Sequence, residues 1–118
     1  MSFKITRVYA DENGDTHFDS LEIPYSSSSV IGKLSDRIDA GSIIFREVES
    51  SYDYDFHTAP QKQYVVLLDG GIEIETSLGE KRKFSAGEIL LLEDTSGKGH
   101  KTRNLENKKR KSLFITLP

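Results

Sequence analysis

The chain has 118 residues, with 16 Lys and Arg against 19 Asp and Glu, and a formal net charge of −3. This length predicts one domain spanning residues 1–118, because two halves would each be too small to bury a separate core. The absence of cysteine excludes a disulfide framework, a thiol nucleophile and a thiolate metal site. No apolar run approaches the roughly 18 residues of a membrane helix, and the first residues lack the pattern of a secretory signal, so we expect a cytoplasmic protein without a membrane partner.

Charge is unevenly distributed along the chain. Residues 1–79 carry 6 basic and 14 acidic side chains, whereas residues 80–118 carry 10 basic and 5 acidic ones. The basic clusters Lys81–Lys83 and Lys108–Lys111 lie beside predicted hairpins, where lysine commonly protects exposed strand edges. No aromatic residues interleave with these clusters to stack on bases. We therefore predict solvated surface at both clusters and no nucleic-acid partner.

Residues 1–50 are predicted to form N-terminal strands and a serine-rich loop. Apolar residues at period two indicate strands around Phe3–Val8 and Phe18–Ile23, joined by a turn that contains Asn-Gly. Ser26–Gly41 is predicted to be a surface connection or a mobile flap, with one helical turn at residues 34–38. The β-branched and aromatic run Ile43–Val48 predicts a further strand.

Residues 51–118 are predicted to form the core as further short strands separated by glycine turns. The stretch from Tyr52 to Phe56 alternates aromatic and acidic residues, which is strand periodicity. Gly70, Gly71 and Gly87 are expected to be turn residues with positive φ. Many short strands bounded by glycine turns predict an all-β sandwich or barrel. The remaining predicted strands are Tyr64–Leu68, Ile72–Thr76, Ile89–Leu92 and Ser112–Leu117.

Two of the three histidines occupy positions that suggest a shared site. His57 precedes the predicted strand Tyr64–Leu68, and His100 follows Ile89–Leu92 and its loop. If these strands are neighbours in a barrel, the two imidazoles can meet inside it. Imidazole is both a transition-metal ligand and a proton carrier near neutral pH. His17 follows a turn, and we expect it at the surface.

Spaced residues between positions 57 and 104 form two motifs. In the first, His57 is followed by Ala59, Gln63 and Gly70; in the second, Gly87 is followed by His100 and then by Asn104 four positions later. The segment resembles the two-motif core of the cupins, small β-barrels of the double-stranded β-helix, RmlC-like jelly-roll type. The segments Ala59-Pro60-x-x-Gln63 and Asp94-Thr95-Ser96-Gly97-x-Gly99-His100 also resemble a subgroup of single-domain cupins without an assigned reaction.

The resemblance implies a metal site that is incomplete in this chain. Metal cupins typically bind their ion with three histidines and one glutamate. Carried over residue by residue, His57 and His100 remain, Gln63 replaces the glutamate, and Ala59 replaces a histidine. His57, Gln63 and His100 are therefore candidate ligands for Fe, Mn, Ni, Cu or Zn in an enzyme of the oxygenase or isomerase type, with Glu93, Asp94 or His17 as further donors.

The same residues allow two interpretations that need no metal. His57 or His100 could act as general base, with Tyr64 or Gln63 orienting an oxygen, in an isomerase, epimerase or lyase. Alternatively, the chain could be a binding module without catalysis.

We expect the ligand to be a small carboxylate or a sugar-like molecule. In addition to the two histidines and Gln63, Lys62, Tyr64 and Asn104 are candidate ligand-binding residues. The resemblance also implies a homodimer formed by sheet edges.

Overall fold

The structure is a computed structural model that describes residues 2–118. Within this range the chain forms eleven strands, and it contains no helix long and apolar enough to cross a membrane. The strands are β1 (Ser2–Ala10), β2 (Thr16–Ser29), β3 (Gly32–Ser35), β4 (Ile43–Val48), β5 (Asp53–His57), β6 (Gln63–Leu67), β7 (Ile72–Thr76), β8 (Lys81–Phe84), β9 (Ile89–Leu92), β10 (His100–Asn104) and β11 (Arg110–Thr116).

The strands form two sheets with a jelly-roll order. One sheet has the order β3-β2-β1-β9-β6-β11-β4, and the other has the order β5-β10-β7-β8. Strands β4 to β11 alone make two four-stranded halves, β9-β6-β11-β4 and β5-β10-β7-β8. This is the arrangement of an eight-stranded double-sheet jelly roll. The predicted all-β jelly-roll fold is confirmed.

The N-terminal strands extend the larger sheet. β1 pairs antiparallel with β2 and parallel with β9, where Thr6 lies opposite Leu90. Val8 of β1 is fully buried, so this strand contributes to the core as well as extending the sheet beyond β9.

The predicted helical turn at residues 34–38 is wrong. Leu34 and Ser35 belong to β3, which pairs antiparallel with the second half of β2; Ser27 lies opposite Leu34, and Ser29 lies opposite Gly32. Serine side chains compete for backbone hydrogen bonds and disfavour helix interiors. The serine run therefore continues β2 into a hairpin rather than forming a loop.

Period-two alternation decides which residues enter the space between the sheets. In β6, Gln63, Val65 and Leu67 are buried, whereas Tyr64 and Val66 are only partly buried. The core between the sheets is apolar and comes from both of them. Its buried members are Val8, Ala59, Val65, Leu67, Ile72, Ile74, Phe84, Leu90 and Leu92, with Phe18 and Phe114 packed against them.

Two of the three predicted turn glycines are needed because a side chain there would collide with neighbouring residues, and not because of their backbone conformation. Gly87 has a φ of +89°, but Gly70 and Gly71 are not among the positive-φ glycines of the described chain. A Cβ at Gly70 would lie 3.1 Å from Cγ of Arg110, and one at Gly71 would lie 2.8 Å from the carbonyl oxygen of Phe84. Both glycines therefore allow close packing against a neighbouring strand.

Candidate functional site

A cavity of about 210 Å³ lies between the two sheets. Apolar side chains form much of its wall, and a few polar groups converge on it, which is the usual composition of a small-molecule site. All strands of the jelly roll except β8 contribute. The lining residues are Arg46, Tyr52, Tyr54, His57, Ala59, Pro60, Gln63, Val65, Ile72, Ile74, Leu90, Leu92, His100, Thr102, Arg110 and Phe114.

His57, at the end of β5, is held in one orientation. Its Nδ1 lies 2.8 Å from the carbonyl oxygen of Asp55. Because a carbonyl oxygen can only accept, Nδ1 carries the proton and donates it, and Nε2 of the neutral ring has a free lone pair. The Tyr54 ring stacks on the imidazole at 4.0 Å between centroids. Burial lowers the pKa of His57, and nearby His100 lowers this pKa further, so the ring is neutral near pH 7 and Nε2 is basic.

His100, the first residue of β10, is buried and paired with a carboxylate. Its Nδ1 lies 2.5 Å from Oδ2 of Asp94, and both side chains are almost fully buried. The His57 and His100 rings lie 4.6 Å apart between centroids. Gly99 permits this approach, since it has a φ of +76° and a Cβ there would overlap the carbonyl group of His57.

A backbone hydrogen bond joins the loop that carries Asp94 to the segment that follows His57. The backbone carbonyl of Asp94 accepts a hydrogen bond from the amide of Ala59 at 3.0 Å. This bond joins the chain after β9 to the chain after β5. Oδ1 of Asp94 is buried and has no hydrogen-bond partner among residues 2–118. The site is therefore a His57–His100–Asp94 cluster in which one carboxylate orients one imidazole.

The structure brings three of the predicted site residues together and not the others. His57, His100 and buried Gln63 all line the cavity. Tyr64 does not line it, because period two places it on the other face of β6 from Gln63. Lys62 is exposed, with its Nζ 3.8 Å from Oε2 of Glu93.

Asn104 and His17 also lie outside the cavity lining. Nδ2 of Asn104 donates to the carbonyl of Glu49 at 3.0 Å, and its Oδ1 accepts from Nε of Arg110 at 2.9 Å. Asn104 therefore positions another side chain. His17 is half-buried and lies 2.6 Å from Asp11 through Nε2; this hydrogen bond is the main cause of the lowered pKa of Asp11.

Sequence reasoning missed the arginines of the cavity. The Lys108–Lys111 cluster is predicted to be solvated, yet Arg110 within it is 2% exposed. It lies at the first position of β11, where Arg110 and Ser112 are buried and Lys111 is exposed. Arg46 of β4 lines the same cavity. The one signal in the sequence for a buried Arg110 is its alternation with lysine. This alternation does not indicate which face of the strand points into the cavity.

The donors at the histidine pair do not complete a metal site. Within residues 2–118, no group of three or more His, Asp or Glu side chains could hold an ion. The available set is two imidazoles and the neutral amide of Gln63, which is a weak set for a divalent cation. Glu93, a suggested further donor, pairs instead with Arg7 at 3.3 Å and with Lys62. Metal binding stays a prediction.

Comparisons with known proteins leave the family open. No protein-family model matches the sequence, and no curated protein matches it. Among solved structures, protein NMB1881 from Neisseria meningitidis is 18% identical with a TM-score of 0.47, covering 69% of this chain and 79% of that one. The conserved SPY1581 protein of unknown function from Streptococcus pyogenes is 20% identical with a TM-score of 0.45, covering 72% and 70%.

A third structure spans the whole chain. A putative ethanolamine utilization protein Q from Salmonella typhimurium is 15% identical with a TM-score of 0.41, covering 100% of this chain and 98% of that one. The strand order itself shows the jelly-roll fold.

Proposed function

We propose that this protein binds a small molecule in the cavity and moves a proton on it with the His57–His100 pair, as an isomerase, epimerase or lyase would. The observation that carries the proposal is the orientation of the two rings. Each Nδ1 is engaged, by the Asp55 carbonyl in one case and by the Asp94 carboxylate in the other. The Nε2 atom of each imidazole is therefore the one left for a ligand.

The two histidines differ in a way that suits an acid–base pair. His57 has a lowered pKa because of burial, so its Nε2 is available as a base. His100 donates Nδ1–H to the Asp94 carboxylate, so its Nε2 is the atom that would hand a proton to the ligand. In an isomerisation, Nε2 of His57 takes one proton from the ligand, and Nε2 of His100 returns one at another atom. The Gln63 amide could orient a ligand oxygen between them.

We further propose that the chain is a cupin-like jelly roll. The support is that His57 of the first sequence motif and His100 of the second line the same cavity with their rings 4.6 Å apart. The strand order adds to this support, because cupins are double-sheet jelly rolls.

Deuterium exchange tests the acid–base proposal across several classes of small molecule at once. A panel of small α-keto acids, α-hydroxy acids and reducing sugars is incubated with the protein in D2O, and loss of C–H signals is followed by proton NMR. We expect exchange with the wild type and an unchanged rate with His17→Gln, since His17 lies outside the cavity lining. His57→Gln should lower the rate about 100-fold or more.

Two results would overturn the acid–base proposal. One is a panel member that binds in the cavity and shows no exchange, which would leave a binding module without catalysis. The other is exchange that persists in His57→Gln at the wild-type rate, which would place the base elsewhere.

A further inference from the structure

We propose that the cavity binds the carboxylate group of a small organic acid through the guanidinium group of Arg110. This inference rests on the proposed function, since it places the ligand in the same cavity, and it adds the chemical class of the ligand. It depends on a buried cation whose donors face no protein acceptor.

The guanidinium of Arg110 is buried without an anionic partner. The residue is 2% exposed, and neither Nη1 nor Nη2 has a hydrogen-bond partner among residues 2–118. The ion pairs that arginines form within residues 2–118 do not include Arg110. Asp69 raises the pKa of Arg110 only as a charge at longer range. A buried, unpaired charge costs several kcal/mol in general, so a protein that keeps one at a cavity wall gains from a ligand of opposite charge.

The chain holds Arg110 in place by its other atoms. Nε donates to Oδ1 of Asn104 at 2.9 Å, and Asn104 is fixed by its hydrogen bond to the Glu49 carbonyl. The stem of Arg110 passes over Gly70, where a Cβ would lie 3.1 Å from Cγ. The guanidinium carbon lies 5.7 Å from the centroid of the Tyr52 ring. Nη1 and Nη2 are left as an oriented pair of donors, which matches the two oxygens of a carboxylate.

A second cation on the cavity wall adds to the positive charge that Arg110 places there. Arg46 lines the cavity with its guanidinium carbon 4.9 Å from the ring centroids of both Tyr52 and Phe114. Burial lowers the pKa of Arg110, and the charge of Arg46 lowers it further. An anion between them would relieve this repulsion. Asp94, the buried carboxylate near the cavity, is engaged by His100 and is absent from the lining.

The remaining wall selects a small acid with an apolar body. Val65, Ile74 and Leu90 are among the apolar lining residues, and they favour carbon over the further charged oxygens of a phosphate. β10 runs from His100 at the acid–base pair to Asn104 at Arg110, and four residues of strand span about 13 Å. A carboxylate at Arg110 therefore places the body of the acid along the strand towards the histidines.

Calorimetric titration of the intact protein tests the carboxylate subsite. The probes are straight-chain monocarboxylates and 2-hydroxy acids of increasing length, their primary amides as uncharged matches, and inorganic phosphate. We expect acids to bind at least about tenfold more tightly than their amides, because a hydrogen bond to a charged group is lost in the amide. Arg110→Met should lower the affinity for the acids by a similar factor. Arg110→Lys should lower it by a smaller factor, because lysine keeps the charge but lacks the paired N–H donors of a guanidinium.

Two controls separate binding from folding. Lys111→Met changes the exposed neighbour on the same strand and should leave affinity unchanged. Arg110→Met should melt no lower than the wild type, because it removes an unpaired buried charge. A structural arginine would instead lose stability on replacement while acid binding stayed the same, and that pattern would overturn the proposal.

The wild-type titrations decide the question even where an Arg110 variant fails to fold. Amides that bind as tightly as their acids would overturn the subsite, and phosphate that binds in preference to every acid would overturn the assignment to carboxylates. Failure of the proton-transfer proposal can be distinguished from failure of the carboxylate subsite. In that case acids would still bind, and Arg110 variants would still weaken this binding, but neither the wild type nor His57→Gln would show deuterium exchange.

Discussion

Replacing the buried carboxylate of Asp94 tests whether the His100–Asp94 pair is the interaction that the geometry indicates. The perturbation is a double-mutant cycle of Asp94→Asn, His100→Gln and the double variant. Both replacements nearly preserve side-chain volume, so cavity formation contributes little. The cycle isolates the energy that the two side chains share.

The geometry sets the expected coupling. The Nδ1–Oδ2 distance is 2.5 Å and both side chains are almost fully buried, so water screens the pair little. A hydrogen bond that involves a charged group contributes about 1.5–3 kcal/mol, and we expect a coupling energy in that range. Because domains of this kind have unfolding free energies of about 5–15 kcal/mol, the single variants should still fold.

Urea unfolding provides the assay, followed by far-UV circular dichroism or tyrosine fluorescence because the chain has no tryptophan. The matched control is the His17–Asp11 pair, which has the same chemistry at 2.6 Å but about one third of each side chain exposed. Its cycle should give a smaller coupling. Additivity of Asp94→Asn and His100→Gln within about 0.5 kcal/mol would refute the buried pair.

Four other measurements address separate features of the molecule. Burial lowers the pKa of His57 in the folded state, so the unfolded state takes up a proton at this residue first as pH falls. The free energy of unfolding of the wild type should therefore decrease below about pH 6.5, by less than about 1.4 kcal/mol per pH unit for a half-buried ring. His57→Gln should flatten this pH dependence, measured by urea titrations. Elemental analysis of untagged protein, purified without chelator, tests the metal prediction: near-stoichiometric metal that disappears in the His57→Ala/His100→Ala double variant would establish it, whereas no metal after supplementation would retire it. The unpaired edge strand β4 presents Phe45 at 79% exposure, so the expected homodimer should give twice the chain mass in light scattering, Phe45→Lys should yield monomers, and exposed Leu78→Lys should leave the mass unchanged. Gly99→Ala should lower the melting temperature and bring the His57 pKa, measured by NMR, towards its ordinary value, because a Cβ there would overlap the His57 carbonyl.

The all-β fold could be predicted because the sequence encodes it locally. Alternating residues such as those of Ile72–Thr76, and turns such as Ser85–Gly87, favour short strands whatever their partners are. The position of each histidine beside a buried strand also indicated that His57 and His100 could meet. These are properties of short segments, which a single sequence shows directly.

Only the tertiary structure decided which polar groups enter the cavity. From Leu113 onward both faces of β11 carry apolar residues, so alternation alone could not say that Arg110 faces inward while Lys111 faces solvent. The same holds for Tyr64, whose place outside the cavity depends on the pairing of β6 with both β9 and β11. The orientation of a strand face is fixed by its register with distant strands. Arg110 is buried where Gly70, between two other strands, leaves room for its stem.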